Sequence, residues 1–262
     1  MKAAHRIAVL AAPLLLASLV VFAAQRYREY SEDAESSRDS VSNTPAEFAF
    51  ARLRYDDTGG GGFFRGWWAT DFPKSDRQFM MGLKRLTRIH TRDLEQVAEV
   101  NSDDIFDWPW IYVEQAGGIW SLSEPQAARL RAYLLRGGFL MIDDIHGSYQ
   151  LAGVMAEVSK IFPGRPVEEL PSSDPVFHVL YDLDERIQVP GTRYLGGRYA
   201  PDSAVPRWLG IRDDQGRVVL TVCHNSDVGD AWEWADSPHY PEGPASFAYR
   251  LGINYIVYSM TH

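Results

Sequence analysis

The sequence predicts an α/β fold in which a mostly parallel sheet is doubly wound, with helices on both faces. The first observation is a strand, a helix and a second strand in succession over residues 110–143. The second is a strand pattern over residues 48–55 followed by a helical pattern over residues 74–89. Helical crossovers join parallel strands and cover a face of the sheet, so their repetition predicts this fold class.

The central unit is the clearest of these patterns. WIYVE at residues 110–114 and FLMID at residues 139–143 are short apolar runs typical of buried strands. Between them Ser123 and Gln126 have the spacing of a capping box, and the glycine pair at 137–138 ends the helical pattern. We therefore predict a crossover helix that joins two parallel, neighbouring strands.

The C-terminal third predicts two further elements. GIRDDQGRVVLTVCHN predicts a hairpin that turns at Asp214–Gly216. ASFAYRLGINYIVYSM predicts a closing C-terminal helix. In HNSDVGDAWEW, between these two elements, Asn225 and Gly229 favour a loop over a helix.

The N-terminal residues 1–24 predict a secretory signal peptide or an uncleaved signal anchor. Lys2 and Arg6 precede an uncharged run over residues 7–24, which ends in small residues. The run is at the short end of what spans a bilayer, so both alternatives remain open. Residues 25–46 are polar and serine-rich, which predicts a disordered tether before one domain over residues 47–262. We expect an exported, periplasmic or otherwise extracytoplasmic protein, with membrane contact only through its N-terminal segment.

Charge and cysteine content exclude several classes of site and partner. The formal charge is −9, and removing Lys2 and Arg6 with a cleaved signal gives −11. Nucleic acids and anionic lipids need a basic surface, so neither is expected as a partner. The single cysteine, Cys223, excludes an intramolecular disulfide and a zinc site of several thiolates. Its apolar strand predicts a buried, unreactive thiol. The sequence requires no cofactor.

Polar side chains follow the predicted strands at their carboxyl ends, where open parallel sheets bind ligands. The candidates are Arg54, Tyr55, Asp56 and Asp57 after the first strand, Asp143, Asp144 and His146 after the central one, and His224, Asn225 and Asp227 after the late one. An aspartate at such a position also commonly caps a turn or helix. Since side chains alternate along a strand, we expect only one of Asp143 and Asp144 to face a crevice, together with Arg54 or His146.

These residue types fit two kinds of chemistry. An aspartate paired with His146 could act as a general base on water. A divalent ion could bind to the set Asp143, Asp144, His146 and Asp227, and the spacing of Asp227, Asp230 and Glu233 adds further carboxylates.

Other candidates have competing interpretations. His178, near Asp182, is either a site member or a histidine that satisfies a buried polar partner. The tryptophans Trp67, Trp68, Trp232 and Trp234 either stack on sugar rings or pack in the core. The glycine-rich stretch DDTGGGGFFRGWW lacks the Lys-Ser/Thr pair of a phosphate loop and predicts a mobile lid or a simple loop.

Several long stretches, in order, carry a family resemblance over residues 47–262. They are FARLRY, TDFPKSDRQFMMGL, LSEPQAARLRAYLLRGGFLMIDD, FPGRPVEELPSSDPVFHVLYDL, NSDVGDAWEW and RLGINYIVYSMT. In these the chain resembles the bacterial family called domain of unknown function 4159. The resemblance implies a flavodoxin-like fold similar to class I glutamine amidotransferases, and it supplies no activity.

Amide-hydrolysing relatives of that wider fold place a nucleophilic cysteine after the central strand. The corresponding turn here is IDDIHG, which contains neither cysteine nor serine, so amidotransferase chemistry is not expected. Two functions remain. The favoured one is a non-catalytic envelope module that binds a partner protein or a glycan at the carboxyl edge of the sheet. The alternative is a hydrolase that uses Asp143, Asp144, His146 and Asp227, with or without a metal ion. Convergence of the carboxylates in one site, or their use as backbone caps, discriminates between the two.

Overall fold

A computed structural model describes residues 46–56, 66–197 and 199–262 of the chain. Within these residues seven strands form one sheet. The strands are β1 (Ala51–Arg54), β2 (Gln96–Glu99), β3 (Trp110–Glu114), β4 (Phe139–Ile145), β5 (Glu168–Glu169), β6 (Arg207–Arg212) and β7 (Val218–His224). The helices are α1 (Lys74–Leu86), α2 (Glu124–Leu135), α3 (Gly147–Ile161), α4 (Val228–Glu233) and α5 (Glu242–Thr261).

The strand order in the sheet is β2-β1-β3-β4-β7-β6-β5. β2, β1, β3, β4 and β7 run parallel to one another, whereas β6 runs antiparallel to its neighbours β5 and β7. The predicted α/β class with a mostly parallel sheet is therefore confirmed. The predicted crossover is present as well, because β3 pairs in parallel with β4 from Trp110↔Phe139 to Glu114↔Asp143.

Helices cover both faces of the sheet. One apolar core includes Phe79 of α1, Trp232 of α4 and Leu251 of α5. The other core includes Leu130 of α2 and Val158 of α3. Successive strand residues point to opposite faces, so the same apolar strands contribute to both cores. This is the doubly wound arrangement.

The predicted helix and turn signals form as expected, apart from shifts at helix ends; α5 begins at Glu242 rather than at residue 245. The Ser123 N–H donates to Gln126 Oε1 at 2.9 Å, which completes the capping box of α2. The hairpin between β6 and β7 turns through Gly216, whose φ of 83° suits glycine. α1 ends at Leu86 rather than at residue 89, because Thr87 takes an extended backbone conformation.

The prediction of a loop over residues 228–233 is wrong, since these residues form α4. Asp227 is its N-cap and accepts the Asp230 N–H at 2.8 Å. Asp143 Oδ2 accepts the N–H groups of Val228 and Gly229 at 2.7 and 2.8 Å. The amides of a first helical turn have no intrahelical partner, so two aspartates stabilise a helix that its glycine disfavours.

All described residues belong to one unit, Thr44–His262. The predicted signal or anchor lies outside them, as do the tether up to residue 45 and residues 57–65 of the glycine-rich stretch. Among the described helices, none combines the length and the apolar character that crossing a bilayer requires.

Candidate functional site

Seven acidic side chains gather at the carboxyl edge of the sheet. We call them the acidic cluster: Asp71, Glu114, Asp143, Asp144, Asp227, Asp230 and Glu233. Glu114 ends β3, Asp143 and Asp144 lie in β4, and Asp227 follows β7, because parallel strands present their carboxyl ends at the same edge. Most members are buried, with Glu114 and Asp143 at 0% exposure and Asp227 at 7%. Low solvent access makes their mutual repulsion strong.

Asp143 is used mainly to hold the fold together. Its Oδ2 accepts the two α4 amides described above and the Tyr112 hydroxyl, the latter at 2.7 Å. Burial raises the pKa of Asp143 to about 7, against the opposing effect of these hydrogen bonds. Its Oδ1 is buried and has no hydrogen-bond partner among the described residues.

The side chain of Asp144 points in a different direction from that of Asp143, because the register of β4 against β7 changes at this position. The pairing of β4 with β7 shifts between Ile142 and Ile145, and Asp144 takes a φ of 53°. Asp144 Oδ1 lies 2.9 Å from His146 Nε2, outside hydrogen-bond geometry. His146, 8% exposed in its side chain, lies under the ring of Tyr194 at a centroid distance of 5.0 Å. Asp144 therefore lies beside His146 without the hydrogen bond that a general-base pair of the two would share.

Two groups of side chains have the spacing of cation ligands. Asp144, His146 and Asp227 form the first group, and Asp71, Asp227 and Asp230 form the second. Within each group, one ligand atom from every residue lies within 4.8 Å of the others. Asp227 belongs to both groups. Carboxylate oxygens with one imidazole suit divalent ions such as Mg²⁺, Mn²⁺ or Zn²⁺.

The negative charges of the acidic cluster raise the pKa values of Asp71 and Asp227. Burial, then the charges of Asp230 and Glu233, raise the pKa of Asp71 well above its usual value. Burial, then the charges of Asp144 and Asp230, do the same to the pKa of Asp227. Buried carboxylates in this state need a proton or a bound cation.

Glu114 and Arg52 lie at the floor of the cluster. Glu114 Oε2 lies within hydrogen-bond distance of the Tyr112 hydroxyl, whose single proton is shared between Glu114 Oε2 and Asp143 Oδ2. Glu114 Oε1 is buried without a hydrogen-bond partner among the described residues. The closest Arg52 nitrogen is 3.9 Å from Glu114, and Arg52 is primarily paired with Asp76, where Nε donates to Oδ2 at 3.0 Å. Arg52 therefore offsets only part of the negative charge.

Two glycines allow the backbone to approach the carboxylates. A methyl group on Gly229 would lie 2.7 Å from both Glu114 Oε2 and Tyr112 Oη. One on Gly191 would lie 2.5 Å from Asp227 Oδ2. Any larger side chain at either position would displace the acidic cluster.

Strained backbone is concentrated at the same edge. In the described residues, positive φ outside glycine occurs at Asp71 (60°), Gln115 (47°), Asp144 (53°) and Asn225 (59°). Gln115 and Asn225 directly follow β3 and β7. Such conformations cost free energy and cluster at functional sites.

The remaining residues at the predicted strand ends have structural partners. Arg54 forms an ion pair with Glu99 across β1 and β2. The Tyr55 hydroxyl donates to the Glu114 carbonyl at 2.8 Å. Asp56 is exposed, and Asp57 lies outside the described residues.

After β7, two side chains tie the start of α3 to its surroundings. His224 Nε2 lies 3.2 Å from the Gly147 carbonyl, and Asn225 Oδ1 accepts the Gly147 N–H at 2.9 Å. His178 is placed away from the cluster, 3.0 Å from Asp182 and 2.7 Å from the Ser172 carbonyl.

The tryptophans have separate environments. Trp67 and Trp68 are half-buried in a 3-10 turn just before Asp71. Trp232 is a core residue, 4.3 Å from the ring of Phe79. Trp234 is partly exposed, and its Nε1 donates to Asp230 Oδ1 at 3.1 Å.

Cys223 is fully buried, and burial with the nearby Asp143 raises the pKa of its thiol well above the usual range. The prediction of a buried thiol is confirmed.

The sequence interpretation missed Arg52, Asp71, Tyr112 and Glu114. Glu114 ends the predicted strand WIYVE, so the strand-end rule that selected Asp143 would also have found it. Arg52 and Tyr112 alternate with apolar residues inside buried strands and look like ordinary strand positions. Asp71 follows no strand end within the described residues.

Comparison with known proteins places the chain in a family. No curated protein gives a match. One family model matches residues 49–260, which is most of the 262-residue chain and nearly all of its described residues. The chain belongs to the family described as a domain of unknown function, DUF4159.

Proposed function

We propose that the protein is an exported metal-dependent hydrolase whose divalent cation is bound by Asp144, His146 and Asp227. The observation that carries this proposal is the convergence of their ligand atoms within 4.8 Å at the carboxyl edge of the sheet. Three of the four residues that the sequence predicts for a metal site are in this group. The fourth, Asp143, caps α4 instead.

The contrast between Asp143, which caps α4, and the pair Asp144 and His146 favours a hydrolase over a non-catalytic module. If the carboxylates served only the fold, each would be satisfied by backbone amides, as Asp143 Oδ2 is. Asp144 Oδ1 instead lies 2.9 Å from His146 Nε2, and a ligand atom of Asp227 lies within 4.8 Å of those of both residues. Neither ring nitrogen of His146 has a hydrogen-bond partner among the described residues. A ring nitrogen without such a partner has its lone pair free for a cation when the imidazole is neutral.

The chemistry follows from the ligand set. Three protein ligands leave coordination positions open for water and substrate. A divalent cation lowers the pKa of its bound water and polarises a carbonyl or phosphoryl oxygen. A neighbouring carboxylate such as Asp71 is then placed to take the proton that the water loses. This mechanism needs no cysteine or serine nucleophile, in agreement with the turn after β4.

The strand order and the N-terminal sequence also support this proposal. The order of the parallel strands, β2-β1-β3-β4-β7, supports a flavodoxin-like sheet, a kind of sheet that binds ligands at this edge. The basic and apolar pattern of residues 1–24 supports export.

The test is Mn²⁺ binding and hydrolysis by the full-length protein after treatment with a chelator. We expect Mn²⁺ to bind and to restore hydrolysis in a panel of p-nitrophenyl esters and phosphoesters. His146→Ala should weaken Mn²⁺ binding at least tenfold. Asp236→Asn is the matched control, because Asp236 is exposed and its nearest cation, Lys74, is 3.7 Å away. A protein that binds no divalent cation would refute the proposal.

A second candidate function, glycan binding, has one specific observation in its favour. The rings of Tyr194 and Tyr199 stack at 5.2 Å, and Tyr194 covers His146. Half-buried aromatic faces suit the apolar faces of sugars. If the module only binds glycans, chitooligosaccharides should bind without added Mn²⁺, and Tyr194→Ala should abolish that binding. Binding that requires Mn²⁺ would favour the hydrolase.

A further inference from the structure

We propose that a second divalent cation binds between Asp71, Asp227 and Asp230, so that Asp227 bridges a two-cation centre. The inference rests on the proposed function, since it adds a second ion beside the one held by Asp144, His146 and Asp227. It adds two ligands, Asp71 and Asp230, that the first site does not use, so the second site can fail while the first site stands.

The geometry of the second group is fixed by its hydrogen bonds. Asp227 Oδ1 accepts the Asp230 N–H at 2.8 Å. Asp230 Oδ2 accepts from the Thr192 N–H at 2.6 Å and from its hydroxyl at 3.0 Å, and Trp234 Nε1 donates to Oδ1. Outer partners of this kind orient carboxylate ligands and are a regular feature of metal sites. Asp227 Oδ1 and Asp230 Oδ1 each retain a lone pair for a cation, whereas Asp230 Oδ2 already accepts two hydrogen bonds.

An independent observation supports a bound cation beside Asp71. Glu114 is fully buried, and its Oε1 has no hydrogen-bond partner among the described residues. The carboxylates of Glu114 and Asp71 both approach the same point next to Gly229. A methyl group added to Gly229 would lie 2.7 Å from Glu114 Oε2 and 3.2 Å from Asp71 Oδ2. A buried carboxylate oxygen without a partner is costly, and a cation close to Asp71 would stabilise it.

The positive side chains near this group in the described residues are already engaged. Arg52 is hydrogen-bonded to Asp76 and lies 3.9 Å from Glu114 at its closest nitrogen. Lys74 lies over the ring of Trp234 at 4.4 Å. One divalent ion would leave most of the seven carboxylates of the acidic cluster uncompensated. A second ion, with the shared Asp227 between the two, offsets the charge where the carboxylates are closest.

A two-cation centre would extend the chemistry of the site. Two ions that share a carboxylate can stabilise both the attacking and the leaving oxygen of a displacement at a phosphoryl or acyl centre. Asp71 would then be a ligand of the second ion and water held by the pair would be the nucleophile. A carboxylate outside both ligand groups, such as Glu233, would take the proton that this water loses.

The experiment measures Mn²⁺ stoichiometry by titration calorimetry on the full-length, chelator-treated protein. Electron paramagnetic resonance then tests whether the bound ions are coupled. We expect two ions per chain with a coupled spectrum in the unaltered protein and in the control Asp236→Asn. Asp230→Asn should bind one ion with an uncoupled spectrum. Asp71→Asn should give the same result and replaces Asp230→Asn if that variant does not fold by circular dichroism.

The outcomes separate the two proposals. One ion in the unaltered protein, lost in His146→Ala and unaffected in Asp71→Asn and Asp230→Asn, overturns the second site and leaves the proposed function intact. Two ions that stay uncoupled, with no loss in Asp230→Asn and Asp71→Asn, also overturn it. Absence of any bound Mn²⁺ refutes both proposals.

Discussion

At the scale of single residues, two adjacent aspartates have different roles. Asp143 is fully buried and caps α4, while Asp144, with a left-handed backbone, turns towards His146 and Asp227. Side-chain alternation along β4 predicts that only one of the two can face the site. The sequence could not say which one, because the register shift in β4 depends on pairing with β7.

Asp143→Ala should lower the free energy of unfolding by about 3 kcal/mol or more. Two α4 amides and the Tyr112 hydroxyl would lose a buried acceptor, and each unsatisfied buried group costs about 1–3 kcal/mol. Urea denaturation measures the change, with the exposed Asp236→Ala as the control. Equal stability of the two variants would show that Asp143 does not hold α4.

Cys223 should resist thiol reagents in the native protein even at pH 9. An unperturbed thiol with a pKa of about 8.5 is largely ionised there, whereas burial keeps the Cys223 thiol protonated through and above this pH. Labelling should therefore follow the rate of global unfolding, measured in parallel by fluorescence. Rapid labelling of folded protein would contradict the buried position and would revive a cysteine mechanism.

At the scale of elements, α4 is the part of the site that tertiary contacts determine. It has six residues, and both of its first-turn acceptors are aspartates, one from β4 and one at its own N-cap. Local sequence favours a loop there, since glycine is a poor helix former. The helix forms because Asp143, far away in sequence, satisfies its amides.

Gly229→Ala should destabilise the protein and weaken Mn²⁺ binding, although alanine is the better helix former by about 1 kcal/mol. The added methyl group would lie 2.7 Å from Glu114 Oε2 and Tyr112 Oη, both of which are buried. Thermal melting and Mn²⁺ titration check this. Gly243→Ala in α5 is the matched control, because nothing lies within 4 Å of its added methyl group, and it should be neutral or slightly stabilising.

At the scale of the whole molecule, the sequence predicts the architecture better than the site. Long apolar runs and caps locate β3, β4, α2 and α5, whose formation depends on local pattern and burial. β2 was missed because its four residues are mostly half-buried or exposed and lack an apolar run. Among the residues of the site, the aspartates at the strand ends were predicted from the sequence. Arg52 and Tyr112 were not, because only the packing of β1 and β3 brings them to the cluster.

A chain that begins at Ala46 should fold cooperatively and bind Mn²⁺ as the full-length protein does. Both apolar cores and all candidate ligands lie after this residue. Residues 25–45 are too polar to contribute a core, and residues 1–24 have the pattern of a signal peptide or anchor. Calorimetric melting of the shortened chain checks the prediction, and a broad, non-cooperative transition would place the domain boundary earlier.

The buried guanidinium of Arg52 has a consequence for how this family can vary. Its five N–H groups reach Asp76, Ser75 Oγ and the carbonyls of Trp68 and Thr70, which fixes the turn that carries Asp71. Lysine lacks the planar fork needed to replace it. Across family members, positions 52 and 76 should therefore be retained or exchanged together, and an alignment in which they vary independently would contradict this. Joint variation of positions 52 and 76 in an alignment would then identify a structural pair that a single sequence does not reveal.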